Sequence, residues 1–131
     1  MGRRKGSPGL TPLELEIMQV LWHTGPANVL AVREGLAPRR PLAYTTVQTM
    51  LNLLVRKGKV RRTLRERRFY YRPAVTHQRE IAHMVGDLVG RLFGGSPERL
   101  VLSLMESRQL TPEALDRLAA ALEKGGGDGG R

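Results

Sequence analysis

Apolar residues recur every three or four positions between residues 11 and 25, and this spacing predicts a first helix. Thr11, Pro12 and Glu14 have the spacing of a capping box with proline at the first helical position. The Gly25-Pro26 pair then ends the helix. Its predicted buried face consists of Leu13, Ile17, Met18, Leu21 and Trp22.

Two more helices are predicted before residue 58. Residues 29–37 show helical spacing after Asn28, a suitable N-cap, and end at Pro38. Residues 43–57 form the most regular segment of the chain, and Gly58 ends them. The apolar face of this third helix must be buried and contains Val47, Met50, Leu51, Leu54 and Val55.

The opposite face of the third predicted helix is polar and holds no carboxylate. It carries Thr45, Gln48, Thr49, Asn52 and Arg56, all of which can donate hydrogen bonds. Threonine, glutamine and asparagine are among the side chains that read base edges in the major groove, although most polar helix faces are simply solvated. The missing acids and the basic segment that follows favour a recognition surface here.

After Gly58 the apolar period changes from that of a helix to that of a strand. KVRRTLR and RFYYRP both alternate, with residues 65–68 between them as a turn, which predicts a two-stranded hairpin. Leu64, Phe69 and Tyr71 share one face and are expected to hold the hairpin to the core rather than to stack on bases. Tyr70 lies on the other face, where it is placed to touch DNA.

The rest of the chain predicts three amphipathic helices. Thr76, Ser96 and Thr111 are suitable N-caps, and Gly94-Gly95 separates the first helix from the second. We expect a flexible basic tail at 1–9, a first domain at 10–75, a three-helix region at 76–123 and a flexible glycine-rich tail at 124–131.

Charge divides the chain at the same place as the predicted domains. Residues 1–75 carry fifteen lysines and arginines against four acids, a net of +11, whereas residues 76–131 carry a net of −1. A basic segment followed by a near-neutral one indicates a polyanion-binding domain joined to a part with another task. The chain has no cysteine and no apolar run long enough to span a membrane, so we expect a cytoplasmic protein.

Three helices followed by a hairpin predict a winged helix-turn-helix domain, within a mainly α fold that has one small β-hairpin. The third helix would enter the major groove and the hairpin, the wing, would contact the backbone beside it. The residues expected to lie on the base-reading helix are Tyr44, Thr45, Thr46, Gln48, Thr49 and Asn52. Those expected at phosphates are Arg56, Lys57, Arg61, Arg65, Arg67 and Arg68.

We find no pattern of catalytic or metal-binding residues, and we expect no enzyme activity, cofactor or metal. His23, His77 and His83 have spacings that put no two of them on one helix face. The main alternative is an architectural or ribosome-associated protein that binds nucleic acid without regard to sequence. Its weakness is the amphipathic, near-neutral last third, for which such a protein has little use.

The chain resembles the BlaI/MecI, or penicillinase-repressor, family of bacterial winged-helix regulators over residues 10–123. The matching segments are LTPLELEIMQVLW, TTVQTMLNLLVRKG and FYYRP. The resemblance implies a homodimeric transcriptional repressor that binds a two-fold-related operator and dimerises through its C-terminal helices. The residues expected at the dimer contact are Ile81, Val85, Leu88, Leu92, Leu100, Leu104, Leu115, Leu118 and Leu122.

The resemblance also implies a means of release. Antibiotic-sensing members are cleaved at an Asn-Phe bond within the helix that matches ERLVLSLMES, with a membrane metalloprotease sensor as partner. Ser103 and Leu104 occupy that place here, so both residues differ from the family pattern. Two further departures are Leu42, where the family usually has tryptophan, and Val29, where it usually has a serine or threonine cap.

Overall fold

Within residues 9–129, which the computed structural model describes, six helices and one hairpin follow one another in the predicted order. The fold is mainly helical with one antiparallel pair of strands. The elements are α1 (Pro12–Thr24), α2 (Val29–Leu36), α3 (Tyr44–Arg56), β1 (Val60–Arg65), β2 (Arg68–Pro73), α4 (His77–Leu92), α5 (Pro97–Glu106) and α6 (Pro112–Gly129).

The predicted N-caps are confirmed by their hydrogen bonds. The backbone N–H of Glu14 donates to Thr11 Oγ1 at 3.2 Å, and the Glu14 carboxylate accepts from the N–H of Thr11 at 2.9 Å. Asn28 accepts from the N–H of Ala31 at 2.9 Å and so begins α2. Thr76, Ser96 and Thr111 make the equivalent bonds at the later helices, which fixes where each helix starts.

The chain divides into two compact units, with the division between Met84 and Val85. The first unit packs α1, α2 and α3 against one another and against the hairpin. Its buried core has most of the side chains that the helical spacing predicts, together with Val60 and Tyr71 from the root of the hairpin: Ile17, Met18, Leu21, Ala27, Val29, Val32, Leu36, Val47, Leu51, Leu54, Val60 and Tyr71. Leu13, Trp22, Met50 and Val55, also predicted to be buried, are partly buried against this core.

The root of the hairpin is joined to the helices by backbone hydrogen bonds. Ala27, between α1 and α2, exchanges two bonds with Tyr71 of β2, at 2.9 and 2.8 Å. At the same root, between α3 and β1, Gly58 has a φ of 80°. This is the left-handed conformation in which glycine ends a helix at little cost. The hairpin therefore leaves the core at a defined place directly after α3.

The first compact unit extends beyond the predicted boundary at residue 75. Lys59, before β1, and Glu80, in α4, form an ion pair with Nζ–Oε1 at 2.9 Å, and only 4% and 3% of the two side chains are exposed. Half-buried Trp22 donates from Nε1 to the carbonyl of Val75 at 3.0 Å, and its ring meets His77 edge-on at 4.8 Å. These contacts attach the first turns of α4 to the first unit, and no sequence period marks them.

The second unit comprises the rest of α4 together with α5 and α6. No side chain from residue 85 to residue 125 is buried. Helix α6 continues to Gly129, beyond Lys124, where the flexible tail is predicted to begin. Glycine is about 1 kcal/mol less favourable than alanine in a helix interior, and no contact among the described residues explains why α6 continues through the glycines after Lys124. The predicted N-terminal tail, apart from Gly9, lies outside the described residues, as do residues 130–131.

Candidate nucleic-acid interface

Helix α3 presents its polar face to solvent because its apolar face is buried. Val47, Leu51 and Leu54 are completely buried, which turns the opposite side of the helix outward. The helix contains no acidic residue. The exposed side chains on it include five of the six residues predicted to lie on the base-reading helix, together with the predicted phosphate contact at the helix end: Tyr44, Thr45, Thr46, Gln48, Thr49 and Arg56.

The wing is a regular hairpin whose turn is strained. Arg65 pairs with Arg68, so Glu66 and Arg67 form a two-residue turn within the tip predicted at residues 65–68. Their φ values are 51° and 70°, and positive φ at both positions is what a type I′ turn requires. Neither residue is a glycine or asparagine, so the turn holds two residues in a conformation that L side chains disfavour.

Like charges face each other across the hairpin. Arg61 lies directly opposite Arg72, and Arg65 lies directly opposite Arg68. Such pairs repel, and among residues 9–129 no carboxylate forms an ion pair with any of these arginines or with Arg67. Without bound DNA, the wing thus carries a concentration of positive charge that a polyanion would neutralise. Arg72 was not among the predicted phosphate contacts, although its alternation with Tyr71 marks it as exposed.

A concave surface of about 390 Å³ brings the helix and the wing together. Tyr44 and Gln48 line it from α3, and Arg67 and Arg68 line it from the wing. Its other lining residues are Asn28, Val29, Leu30, Phe69 and Tyr71. Hydrogen-bonding side chains and cations therefore face one space. Leu30 was missed by sequence reasoning because an exposed leucine at the start of a helix carries no signal of binding.

The prediction that Leu64, Phe69 and Tyr71 all pack on the core is correct only for Tyr71. Tyr71 is 1% exposed, whereas Phe69 is 40% and Leu64 is 59% exposed. Leu64 and Phe69 pair with each other next to the turn, where the hairpin has already left the core. Alternation places all three residues on one face but does not say how far along the strand the core reaches. Tyr70, on the other face, is half-buried, with the Arg65 guanidinium 5.6 Å from its ring centroid.

Lys57 was predicted to contact phosphate, but its ammonium group is engaged with α1. Nζ donates to Glu14 Oε1 at 2.6 Å and to the carbonyl of Gly9 at 3.2 Å. Burial acts to raise the pKa of Glu14, but the hydrogen bond from Lys57, the N–H of Thr11 and the lysine charge together hold the pKa below its ordinary value. A lysine at the end of α3 can contact either a phosphate or a carboxylate of the protein. The sequence does not distinguish the two, because only the fold brings Glu14 close to Lys57.

Asn52, which was predicted to lie on the base-reading helix as a supporting contact, makes hydrogen bonds within the protein. It is half-buried, and its Oδ1 accepts hydrogen bonds from Arg62 Nη1 at 3.0 Å and from the Tyr71 hydroxyl at 3.1 Å. The Arg62 guanidinium also lies 4.1 Å from the ring centroid of Phe69. Arg62, which interrupts the apolar face of β1, thus has a partner on α3 and another on β2.

The side chains expected at the dimer contact are accessible. Ile81, Leu100 and Leu104 are half-buried, and the remainder are exposed: Val85, Leu88, Leu92, Leu115, Leu118 and Leu122. Ser103 and Leu104, at the expected cleavage position, are both half-buried and lie inside α5.

Residues 9–129 form neither a membrane-spanning helix nor a metal-binding group. No helix there has the length and apolar character needed to cross a membrane. Within the same residues, no three histidine, cysteine, aspartate or glutamate side chains are grouped as they would be to hold a metal ion.

The fold and its surface define a class of protein. Three packed helices, an exposed and acid-free third helix and an arginine-rich hairpin beside it constitute a winged helix-turn-helix with a cationic face. Winged helices of this kind occur in many families of transcriptional regulators, and comparison with known sequences identifies the family.

The profile of the penicillinase-repressor family matches residues 10–124, and the chain belongs to that family of transcriptional repressors. It is 29% identical to the penicillinase repressor of Bacillus licheniformis over 92% of this chain and 94% of that protein. It is 34% identical to the transcriptional regulator BlaI of Mycobacterium tuberculosis over 91% and 88% of the two chains.

Part of this chain is similar to a solved DNA-binding domain. The solution structure of the DNA-binding domain of the repressor BlaI is 31% identical and covers 56% of this chain and 90% of its own, with a TM-score of 0.50. The predicted family and fold are confirmed by these matches.

Proposed function

We propose that this chain is a homodimeric, sequence-specific repressor that binds a two-fold-related operator in double-stranded DNA and blocks transcription by occupying it. The observation that carries the proposal is the shared concave surface, where Tyr44 and Gln48 lie beside Arg67 and Arg68. The neutral side chains supply readout of base edges, and the arginines supply affinity for phosphate. The BlaI relative, described as a DNA-binding domain, supports the same use of the first unit.

Titration of labelled duplexes by fluorescence anisotropy tests the DNA-binding part. A fragment of the chain's own promoter region and a random duplex of equal length are compared at one salt concentration. A specific repressor prefers its site by about 10³-fold or more. A ratio near one would instead identify the sequence-independent binder.

Two variants separate the contribution of base contacts from that of phosphate contacts. Gln48→Ala is expected to cost about 1 to 3 kcal/mol on the promoter fragment and little on the random duplex. Arg67→Ala is expected to weaken both complexes alike and to lower the salt slope by about 0.9, the value for one phosphate. The same loss from both duplexes for Gln48→Ala would contradict base readout by that residue.

Homodimerisation is supported by the state of the second unit. Most of its leucines are exposed in the single chain, and Leu118 and Leu122 lie one helical turn apart on α6. Burying such a face needs a second surface of the same kind, which a two-fold dimer supplies. Leu118→Asp is expected to give a monomer in sedimentation velocity, whereas Arg117→Ala, on the same turn, leaves a dimer. A dimeric Leu118→Asp variant would contradict this contact.

The proposal also includes release of the repressor from DNA by proteolysis between Ser103 and Leu104. The bond lies inside α5, so a protease reaches it only when that helix opens locally. Cleavage there would separate α6 from the DNA-binding unit and weaken the dimer. Mass spectrometry of the tagged protein, from host cells with and without a β-lactam, should show a fragment ending at Ser103 only after treatment. An intact chain in treated cells in which transcription is induced would exclude this route.

A further inference from the structure

Asn52 connects α3 to both strands of the wing. Its Oδ1 accepts one hydrogen bond from Arg62 of β1, at 3.0 Å, and one from Tyr71 of β2, at 3.1 Å. Tyr71 is buried, and the Arg62 guanidinium packs over the ring of Phe69. One side chain of α3 thus has a partner on each strand.

The chemistry of the partners fixes the orientation of the amide. Arginine has no hydrogen-bond acceptor, so the atom of Asn52 that faces Arg62 must be the carbonyl oxygen. That oxygen has two lone pairs, and two donors already use them. Asn52 retains only its NH₂ group, and it cannot make the paired contact to adenine, which needs the oxygen as an acceptor.

The outer part of the wing has little other support. Leu64 and Phe69, beyond the point where the hairpin leaves the core, are exposed, and within residues 9–129 none of the arginines at the turn forms an ion pair. The direction of the hairpin is therefore set near its root. There the Ala27–Tyr71 backbone hydrogen bonds fix β2, and the Asn52 side chain joins both strands to α3. A change in that direction would move every arginine at the turn together.

We propose that Asn52 is a positioning residue of the DNA interface, which through Arg62 and Tyr71 sets the direction in which the wing presents its arginines. This inference rests on the proposed function, since it concerns how the wing meets DNA. Arg62, although exposed, contributes to this positioning through its contacts with Asn52 and the ring of Phe69.

The salt dependence of binding distinguishes positioning from base contact. Each phosphate contact contributes about 0.9 to the slope of log K against log salt concentration. Asn52 is uncharged, so removing a base contact at this residue leaves the slope unchanged. If Asn52 positions the wing, Asn52→Ala lowers the slope, because arginines elsewhere lose their phosphates. The affinities for promoter fragment and random duplex then fall by the same factor.

Gln48→Ala is the matched control, since it also removes a neutral side chain from the exposed side of α3. Its slope should equal that of the unchanged protein. Replacing Arg65, Arg67 and Arg68 by glutamine lowers the slope by itself, and adding Asn52→Ala to that variant should produce no further fall. Arg62→Ala combined with Asn52→Ala should likewise fall short of the sum of the single effects.

Tyr71→Phe provides a second measurement if Asn52→Ala does not fold. It keeps the buried ring and removes one of the two hydrogen bonds, and we expect a smaller decrease in slope than for Asn52→Ala. Unchanged slopes in Asn52→Ala and Tyr71→Phe, with folding checked by thermal melts, would overturn the inference. A random duplex suffices for the slope, so this result stands apart from the promoter preference that tests the proposed function.

Discussion

The two compact units of the chain differ in how far their apolar side chains are buried. In the first unit, twelve apolar residues form a buried core, and Lys59 and Glu80 form a buried ion pair beside it. In the second unit no side chain between residues 85 and 125 is buried, and Leu92 and Leu122 are 68% and 70% exposed. The amphipathic pattern of the sequence is nevertheless similar in the two.

The contrast shows that amphipathic spacing does not say where the partner surface comes from. Helices α1 to α3 find their apolar partners within the same unit. The leucines of α5 and α6 keep much of their surface exposed in one chain, and the dimer proposed above would cover them. The first unit is thus expected to be stable alone, and the second to depend on protein concentration.

The largest expected effect tests where the first unit ends. Lys59→Met removes one partner of the buried pair and is expected to lower the free energy of unfolding by about 3 to 5 kcal/mol. Chemical denaturation followed by Trp22 fluorescence measures this, since Trp22 contacts Val75 and His77 in the same region. An unchanged Trp22 transition would show that this pair does not hold the first turns of α4 to the first unit.

The double variant Lys59→Met with Glu80→Leu is the control. Replacing both charges by apolar side chains of similar size is often neutral, so most of the loss should be recovered. If the double variant is as unstable as the single one, the site needs more than a matched pair.

Substitution of one leucine in each unit allows a direct comparison of the two units. Leu51→Ala, in the core of the first unit, is expected to cost about 2 to 5 kcal/mol of unfolding free energy. Leu118→Ala, at a half-exposed position of α6, should change the stability of the first unit little and weaken self-association instead. Thermal melts at two protein concentrations separate the two effects. Equal, concentration-independent losses would remove the contrast between the units.

A smaller effect, of about 1 to 3 kcal/mol, is expected from Lys57→Met at neutral pH. The folded pKa of Glu14 is lowered from 4.5, so its contribution to stability is present above the unfolded pKa and is lost as pH falls through the folded pKa. The difference between Lys57→Met and the unchanged protein should therefore shrink below about pH 4.5. Denaturation curves at several pH values measure it, and a constant difference would contradict the assigned pairing.

The smallest effect concerns one glycine of the second unit. Gly90 lies inside α4, and nothing approaches the position that a β-carbon would occupy. Gly90→Ala should therefore stabilise the helix by about 1 kcal/mol if this face is solvated in solution. Circular dichroism melts and sedimentation velocity are measured together. Weaker self-association in the variant would place this side of α4 at the contact between chains.

Local signals in the sequence predicted the elements and most of the first core. Caps, proline and glycine positions and apolar periods act over a few residues. The starts of α1, α2 and α5 and the position of the hairpin turn were therefore predicted correctly. The family profile and the relatives then confirmed the family.

What the sequence did not predict depends on contacts between distant residues. Lys57 reaches Glu14 across forty-three positions, and Asn52 reaches Tyr71 across nineteen, so neither pairing leaves a local pattern. The exposed position of Phe69 follows from how far the hairpin extends beyond the core, a length that alternation cannot supply. The same polar side chain can read a base or hold a neighbour, and only its partners distinguish the two.

The facing arginines of the wing make ionic strength act on this hairpin in two opposite directions. Added salt screens the repulsion between Arg61 and Arg72 and between Arg65 and Arg68, so the free hairpin becomes more stable. The same salt weakens the attraction of those arginines for phosphate. The protein is thus expected to hold its wing most firmly under the conditions in which the wing binds DNA least.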